Sequence, residues 1–468
     1  MPSLNLFIFA IAIYITTIPL SAETLSEWGE RALNIQNGID YDAPFSETTW
    51  PGTHNSFANN GDDQFWNIAL NQYRTRSQQM EKGIRQLVYD VHYDWNQLRL
   101  CHNNSGFAGC LNTITGYKRL KHGLRDIADF LQENPNEVIL LKFEITDSAE
   151  SKLSLLKEEL VTYVGSYIYG TTNGISNHGN LGSHGCTELP TDIITKSKVL
   201  SAGKNLIVFS THGCFSNDGY NDLAFYAGNT VKRFKTYNDV ENLSDTDRRS
   251  KMSRVFDGLV KSGASSSSNN DVLLQPNAIS GFLDVGLNII EIYGFDGNGD
   301  WNGDGEAPLS SHNLVWSWDA SGYEPNGTGN CGKIYGPTNR FRDANCEKSF
   351  FAACRRLVER DGNRAYDDWI ISSQVVTFSN ADEQCLFDGN GEYFFATPRN
   401  KMELNILLNK RDSAGLVKED LWINYEKGSS GQWTADIGEA DIEMLSYCDA
   451  GGNGPICNHI TTYLNLVQ

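Results

Sequence analysis

The sequence predicts an α/β fold: a TIM-like (β/α)8 barrel over residues 23–311, followed by a disulfide-bonded, β-rich C-terminal domain over residues 312–468. Short apolar runs alternate with amphipathic stretches between residues 25 and 296, which is typical of parallel βα units. After residue 311 the composition becomes rich in aromatic residues and cysteine. The total of 468 residues is also more than one ordinary domain needs.

Apolar periodicity defines the predicted elements of the barrel. Four segments have apolar side chains at helical spacing and are predicted as helices: residues 25–35, 64–82, 120–131 and 151–164. Five short apolar runs are predicted as strands: residues 84–91, 97–101, 137–144, 206–211 and 282–292. Residues 165–203 are rich in glycine, asparagine and serine, which predicts a long loop.

Residues 1–22 are predicted to be a secretory signal peptide. Residues 4–20 are nearly all apolar, Pro19 interrupts this run, and Leu20-Ser21-Ala22 offers small residues for cleavage. A membrane anchor is the alternative, because the run has about the minimum length that spans a bilayer. The end of the run favours cleavage, and therefore a secreted, extracellular protein.

The ten cysteines fit the oxidising compartment that secretion implies. Three disulfides are predicted: Cys101 with Cys110, Cys186 with Cys214, and Cys448 with Cys457. The formal net charge of −20 argues against nucleic acid as a partner, and against long-range attraction to an anionic membrane.

Polar and ionisable side chains lie at or near the ends of the predicted strands in the first part of the barrel. In a (β/α)8 barrel the residues that carry out chemistry lie at the carboxyl ends of the strands. Any one of these side chains alone is more simply a polar residue at a strand end, but together they form a candidate site. The set is His54, Asn55, Asp90, His102 and Glu144.

Two kinds of chemistry suit this set. Two histidines with two carboxylates could bind a transition metal, but no His-x-x-x-His or cysteine-rich ligand spacing is present. Alternatively, the oxygens of Asn55, Asp90 and Glu144 could hold Ca²⁺ or Mg²⁺. His54 and His102 would then be free to transfer protons. A divalent cation beside two such histidines suits cleavage of a phosphate ester.

The segments Pro51-Gly-Thr-His54-Asn55-Ser56, Gly83-Ile-Arg85 with Asp90, Leu100-Cys-His102 and Asn134-Pro-Asn-Glu137-Val-Ile-Leu carry a resemblance. They resemble the X-region of the phosphatidylinositol-specific phospholipase C superfamily, and the resemblance covers about residues 50–145. It implies a TIM-like barrel that cleaves phosphatidylinositol or a related phosphodiester at a membrane surface, by internal attack of the inositol 2-hydroxyl.

The resemblance also implies roles for the candidate residues. His54 matches a histidine that acts as general base or phosphate contact, and His102 matches the general acid. Asn55, Asp90 and Glu144 match the calcium-dependent members, whereas calcium-independent bacterial members carry Arg and Lys at the positions of Asp90 and Glu144. Ca²⁺ is therefore the cofactor that the resemblance implies, with Mg²⁺ as the alternative.

One position departs from the calcium-dependent pattern. Many such members carry a further carboxylate two residues before Asp90, where this chain has Val88. The loss of an acidic ligand is expected to weaken cation binding or to shift part of it onto water. Strand alternation places His92 on the face of Asp90, so His92 either compensates or is simply a packed or surface residue. Arg85 is predicted to be structural.

The last third carries a different resemblance. Glu324-Pro-Asn326 with Cys331, Cys346 and Cys354 resembles the closing half of a C-type-lectin-like domain, and residues 369–433 resemble its opening half. This implies Ca²⁺-dependent carbohydrate binding, and the alternative is a disulfide-stapled β-rich domain that binds no sugar. Residues 296–306 alternate oxygen-bearing side chains, which predicts either a second Ca²⁺ site or a solvated acidic turn.

These expectations point to a secreted phosphoric diester hydrolase of the phospholipase C type. Two alternatives stay open. One is a glycerophosphodiester- or sphingomyelin-cleaving enzyme on a similar barrel. The other is a carbohydrate- or surface-binding protein on a degenerate barrel, which Val88 favours.

Overall fold

The computed structural model describes most of the chain between residues 23 and 435. The described residues are 23–59, 71–101, 119–170, 187–212, 220–234, 236–244, 247, 251–256, 276–296, 309–356, 358–360, 363–365 and 368–435. The predicted signal peptide, the acidic segment 297–306 and most of the cysteines of the three predicted disulfides lie outside them. Within these ranges no helix is long and apolar enough to cross a membrane.

In the described residues up to 296, the chain forms nine strands with helices between them. The strands are β1 Trp50–Thr53, β2 Gln86–Asp94, β3 Gln97–Leu100, β4 Ile139–Ile145, β5 Leu206–Ser210, β6 Ala224–Tyr226, β7 Val231–Arg233, β8 Met252–Phe256 and β9 Ile289–Ile292. The helices are α1 Leu25–Gln36, α2 Arg76–Glu81, α3 Leu120–Glu133, α4 Asp147–Glu150, α5 Leu153–Val164, α6 Lys196–Ser201, α7 Ala227–Thr230, α8 Tyr237–Glu241, α9 Pro276–Asp284 and α10 Ser311–Leu314.

Eight of these strands form one curled parallel sheet. Their order is β6-β5-β4-β2-β1-β9-β8-β7, and β3 pairs antiparallel with β2. Because all the strands of the curled sheet are parallel, their carboxyl ends meet at one edge, which we call the carboxyl edge. The predicted barrel fold is confirmed as this half-barrel of eight strands.

The parallel strands are buried on both faces, as expected for this kind of sheet. Side chains such as Leu87, Tyr89 and Leu141 point outward into a large cluster with the surrounding helices. Alternate residues such as Leu140 and Ile207 point inward into a separate apolar cluster. This alternation decides which side chains of β2 and β4 face the inside of the half-barrel.

The predictions for residues 282–292 and 165–203 differ from the structure. The strand predicted at 282–292 is wrong in its first half, because Phe282 and Leu283 lie on the buried face of α9 and the strand begins only at Ile289. A short apolar run fits a helix as well as a strand. The predicted loop 165–203 contains α6, which the hydroxyl of Thr195 caps by accepting a hydrogen bond from the Lys198 amide at 3.1 Å.

The part of the predicted helix 64–82 that the structure describes is helical only in α2, from Arg76 to Glu81. Thr75 is the N-cap of α2 and forms a capping box with Gln78. The other predicted helices are confirmed, with α1 capped by Thr24 and Glu27 in the same way.

The remaining chain is rich in strands, as predicted. Its strands are β10 Cys331–Tyr335, β11 Arg340–Ala344, β12 Phe351–Arg356, β13 Val358–Arg360, β14 Asn363–Ala365, β15 Trp369–Ile371, β16 Tyr393–Phe395, β17 Leu421–Lys427 and β18 Trp433–Ala435, with helices α11 Ala381–Asp388 and α12 Lys401–Ser413. A second sheet has the order β11-β10-β17-β12-β15, with β16 beside β12 and β18 beside β17.

Among the described residues of this region, the disulfides Cys331–Cys346 and Cys354–Cys385 cross-link the chain. The β-rich, disulfide-bonded character of the C-terminal region is thereby confirmed. Its predicted resemblance to a C-type lectin stays a prediction.

The second sheet packs against α1 of the half-barrel. The Tyr425 hydroxyl donates to the Ile35 carbonyl at 2.8 Å, and the Trp28 indole donates to the Glu324 carbonyl at 2.7 Å. Buried residues on both sides of residue 311, for example Trp28 and Trp316, belong to one contiguous apolar cluster. The predicted domain boundary at residue 311 stays a prediction.

Glu324 and Asp343 form a buried pair of carboxyl groups in the second-sheet region, 3% and 4% exposed. Burial and then the neighbouring Asp343 raise the pKa of Glu324 to about 8. Burial acts in the same direction on Asp343, but hydrogen bonds from Glu324 and from the Gly329 amide outweigh it and lower the pKa of Asp343. Glu324 therefore carries the proton of the pair.

A raised folded-state pKa stabilises the protein below the unfolded-state pKa of the group, and this contribution is lost as pH rises through the folded-state value. We expect the melting temperature to fall between pH 4.5 and about 8, and Glu324→Gln to flatten this decrease. Circular dichroism melts across this pH range test the expectation, with the exposed Glu347→Gln as the matched control. An unchanged pH profile in Glu324→Gln would contradict it.

Candidate active site

The inside of the half-barrel is apolar toward the amino ends of its strands. Trp50, Leu140, Ile207, Met252 and Ile289 are all buried in the inner cluster, and each lies at the first or second position of its strand. This apolar layer, which we call the floor of the site, excludes water from the amino end of the half-barrel. Further along the same strands the inward side chains become charged, so the polar site begins about one layer above the floor.

Glu291 is the centre of this charged layer. It lies on β9 with its side chain fully buried. Arg254 Nη1 donates to both of its oxygens at 3.0 and 2.9 Å, and Lys142 Nζ and Gln86 Nε2 donate to Oε1 at 3.2 and 3.0 Å. Burial alone would raise the pKa of Glu291, but Arg254 and Lys142 outweigh it and hold that pKa well below 4.5.

Gly52 makes room for part of this network. It is paired in the sheet with Gln86 on one side and Glu291 on the other. A Cβ atom at position 52 would overlap the Gln86 side-chain oxygen. The glycine before Thr53-His54 thus allows the Gln86 amide to reach across β1 to Glu291.

His54 follows directly after β1 at the carboxyl edge. Its amide donates to the Ile292 carbonyl at 3.1 Å, and its carbonyl accepts from Gln72 Nε2 at 2.6 Å. Its Nδ1 lies 3.8 Å from Glu291 Oε2, and its ring stacks at a tilt on Tyr293 with centroids 5.3 Å apart. The imidazole is therefore fixed at its backbone, beside a buried carboxylate, with 13% of its side chain exposed.

Asn55 is buried in the turn after β1, with a φ of 47°. Asparagine tolerates this left-handed conformation better than most residues. The next residue ties the turn to β2: the Ser56 amide donates to the Val88 carbonyl, and the Val88 amide donates to Ser56 Oγ, both at 3.0 Å. Asn55 is thereby placed beside the carboxyl end of β2.

Asp90 and Glu144 are directly paired residues of the adjacent strands β2 and β4. Their side chains therefore leave the sheet on the same, inward face. Burial would raise the pKa of Glu144, but Lys142 and then His54 outweigh it and lower the pKa. The structure thus brings His54, Asn55, Asp90 and Glu144 to one edge of the sheet, and their catalytic and metal-binding roles stay predictions.

Lys142 occupies the space among these carboxylates. Its Nζ lies 2.9 Å from Glu144 Oε1 and 3.2 Å from Glu291 Oε1, and the residue is 5% exposed. Lys142 is also the direct sheet partner of Val88. Val88 occupies the position at which the calcium-dependent pattern has a further carboxylate. The sequence analysis did not identify Lys142 as part of the site.

The residues do not fit a divalent cation bound jointly by Asn55, Asp90 and Glu144. Ca²⁺ takes six to eight oxygen ligands and Mg²⁺ needs a near-octahedral shell. Here one of the two carboxylates is engaged by an ammonium group, and Val88 supplies no oxygen. The predicted Ca²⁺, or Mg²⁺, stays a prediction.

His102, the second predicted catalytic histidine, lies outside the described residues, as does Cys110. Cys101, directly before His102, is disulfide-bonded. Its amide donates to the Asp90 carbonyl at 3.3 Å, so the chain enters the His102 segment beside the carboxyl end of β2.

The structure also bears on the predictions for Arg85 and His92. Arg85 is structural, as predicted, because its guanidinium donates to Glu137 at 2.8 Å and to the Met80 carbonyl at 2.7 Å, before the start of β2. His92 is 4% exposed, and its Nδ1 lies 3.2 Å from Thr146 Oγ1, which supports the interpretation as a packed residue.

Three residues of the site were missed by the sequence analysis: Lys142, Arg254 and Glu291. Lys142 could have been found, because strand alternation places it on the face of Glu144. Glu291 offered a weaker signal, a lone carboxylate within Ile289-Ile-Glu-Ile292. Arg254 offered none, since its role depends on β8 lying next to β9.

A histidine beside a buried carboxylate at the carboxyl edge of a curled parallel sheet is consistent with a phospholipase C-like domain. The sequence comparison is specific: residues 9–297 match the family described as the Rv2075c PI-PLC-like domain. The chain belongs to this family. The predicted membership of the phosphatidylinositol-specific phospholipase C superfamily is thus confirmed.

Relatives with sequence similarity include proteins of known and unknown activity. An uncharacterized protein of Mycobacterium tuberculosis is 26% identical over 402 residues, covering 77% of this chain and 73% of the relative. A PI-PLC X domain-containing protein of Arabidopsis thaliana is 31% identical over 115 residues, covering 24% and 25%. A 1-phosphatidylinositol phosphodiesterase of Listeria monocytogenes is 27% identical over 175 residues, covering 34% and 50%.

Solved structures of phosphatidylinositol-specific phospholipase C also align with the chain. The enzyme from Listeria monocytogenes aligns with a TM-score of 0.36 at 15% identity, over 60% of this chain and 96% of the other. That from Staphylococcus aureus aligns with a TM-score of 0.38 at 17% identity, over 63% and 99%.

Proposed function

We propose that this chain is a phosphoric diester hydrolase of the phospholipase C type, acting on phosphatidylinositol or a related inositol phosphodiester. The observation that carries the proposal is His54, held beside the buried Glu291 at the carboxyl edge in a chain of the PI-PLC-like family. The predicted signal peptide and the disulfides support action outside the cell.

His54 is the proposed general base. A carboxylate on the Nδ1 side of an imidazole favours the tautomer with hydrogen on Nδ1, which leaves Nε2 to accept a proton. Glu291 is kept ionised by Arg254 and Lys142, so it can orient the ring and stabilise the imidazolium that forms. Glu291 acts through His54 and is a positioning residue.

In the proposed reaction the inositol 2-hydroxyl oxygen forms a bond to phosphorus and passes its proton to His54. The bond between phosphorus and the glycerol oxygen breaks, and the leaving oxygen takes a proton from His102. The products are diacylglycerol and inositol 1,2-cyclic phosphate, and no atom is gained or lost. Attack by water, with the two histidines exchanging roles, would open the cyclic phosphate.

Contact with a lipid surface is part of the proposal. Trp95 lies at the tip of the β2–β3 hairpin, just beyond the carboxyl end of β2, and is 64% exposed. An exposed tryptophan at this edge suits insertion at the membrane–water interface. Phe57, an aromatic residue in the turn after β1, is by contrast buried against Tyr89.

Release of phosphorylated head group from phosphatidylinositol vesicles tests the proposal, with sphingomyelin vesicles and glycerophosphocholine as competing substrates. We expect release from phosphatidylinositol, and its loss in His102→Ala with an unchanged circular dichroism spectrum. Preferred cleavage of sphingomyelin or glycerophosphocholine would contradict the proposed substrate. No cleavage of any of the three would favour a surface-binding protein, including one that binds carbohydrate.

A further inference from the structure

We propose that the Lys142 ammonium, rather than a divalent cation, receives the charge of the substrate phosphate, so that turnover needs no metal. This inference rests on the proposed phosphodiesterase activity. It concerns a residue to which neither the sequence pattern nor the family membership assigns a role.

Lys142 lies among the acidic side chains of the site. Its ammonium lies between Glu144 and Glu291, in hydrogen-bonding range of both. His54 Nδ1 lies 3.8 Å from Glu291 Oε2 and Lys142 Nζ lies 3.2 Å from Glu291 Oε1, so His54 and Lys142 flank the same carboxylate. A phosphate placed for proton transfer to His54 is therefore next to this ammonium.

The Lys142 ammonium has hydrogen-bonding capacity left for a phosphate. A lysine ammonium has three N–H donors. In the described part of the chain its partners are Glu144 and Glu291, which leaves one donor for a phosphoryl oxygen. Because Arg254 already donates to both oxygens of Glu291, that carboxylate does not depend on Lys142 alone for its neutralisation.

The residues at positions 88 and 142 also favour a cation that the chain itself supplies. These positions face each other across β2 and β4, and they carry valine and lysine. The negative charge expected at position 88 is absent, and a positive charge is present opposite it. A fixed cation in a site with an apolar floor interacts strongly with a developing charge and needs no reorganisation.

The inference is tested by the rate of head-group release from phosphatidylinositol vesicles in EDTA and in Ca²⁺. We expect equal rates in the two media. Activity only in Ca²⁺ would overturn the role of Lys142 while leaving the proposed function intact. Inactivity in both media towards every phosphodiester would overturn the function and this inference together.

Substitutions at the two facing positions sharpen the test. Lys142→Met is expected to lower the rate about 10²-fold or more, the usual effect of removing one preorganised charge-stabilising group. Val88→Glu combined with Lys142→Ser restores a carboxylate and removes the ammonium, and is expected to make activity dependent on Ca²⁺. A double variant that stays equally active in EDTA would contradict the inference, even if Lys142→Met fails to fold.

Lys196→Met is the matched control. Lys196 is also a buried lysine, 3% exposed, and its ammonium donates to Asp40 at 2.6 Å and to the Asn37 carbonyl at 2.8 Å. Its loss removes a buried ion pair outside the site. We expect Lys196→Met to lower the melting temperature but to keep the wild-type rate in EDTA.

A binding measurement separates substrate contact from folding effects. Calorimetric titration with inositol 1-phosphate in EDTA is expected to show binding to the wild type and to Lys196→Met, and weaker binding to folded Lys142→Met. Equal binding by all three would overturn the contact. Total Ca²⁺ uptake is a poorer readout, because Asp147, Glu150 and His212 place ligand atoms within 4.8 Å of one another at the same edge.

Discussion

Replacing His54 with alanine is expected to lower the rate of phosphatidylinositol cleavage by about 10²–10⁴-fold, the usual contribution of a positioned general base. The fold should be retained, because the side chain is partly exposed and the hydrogen bonds that fix this position come from the backbone. The measurement is initial head-group release, with the circular dichroism spectrum as the check on folding.

His312→Ala is the matched control for this substitution. His312 is a partly buried histidine on α10 whose Nδ1 lies 2.6 Å from Ser310 Oγ, outside the carboxyl-edge site. Its replacement should leave the cleavage rate unchanged. Equal losses in the two variants, or an active His54→Ala, would contradict the role of His54.

Glu291→Gln is expected to have the largest effect on both stability and activity. The change leaves the cations of Arg254 and Lys142 without their buried counter-charge, and breaking a buried ion pair in this way costs about 3–5 kcal/mol. His54 also loses the carboxylate that orients it. Urea denaturation and the cleavage rate are the two measurements.

The pH dependence of stability supplies a second readout for Glu291. Its folded-state pKa lies well below the ordinary value of 4.5. The stabilisation is therefore complete above pH 4.5 and is lost as pH falls below that value. We expect the wild type to lose stability steeply in acid and Glu291→Gln to lose less.

Glu403→Gln provides the control for Glu291→Gln. Glu403 is likewise buried, 3% exposed, and it pairs with Arg399 in the second-sheet region. Arg399 and Arg355 outweigh burial and lower its pKa. This variant should lose stability without losing activity per folded molecule, and an equal loss of activity would contradict a specific role for Glu291.

The residues that lie next to each other in sequence could be predicted from it. His54 and Asn55 belong to a motif of the family that the sequence resembles, so their position at the carboxyl edge was predictable. Asp90 and Glu144 lie near the ends of strongly apolar runs, and their direct pairing in the structure confirms that both strands were identified correctly. The family motif supplied the order in which these groups occur.

The contacts between distant strands could not be predicted in the same way. The ion pairs of Glu291 with Lys142 and Arg254 depend on the strand order β4-β2-β1-β9-β8, which local periodicity does not encode. Residues 282–292 show the same limit, because their apolar pattern is compatible with a helix as well as with a strand. In the structure the first residues of this run belong to α9 and the last residues to β9.

The most direct test of the central claim is phosphorus NMR of the products formed from phosphatidylinositol vesicles by the wild-type protein. The account predicts an early signal of inositol 1,2-cyclic phosphate, because the 2-hydroxyl attacks before water does. Formation of an acyclic phosphate monoester from the start, without the cyclic signal, would contradict internal attack and the roles assigned to His54 and His102.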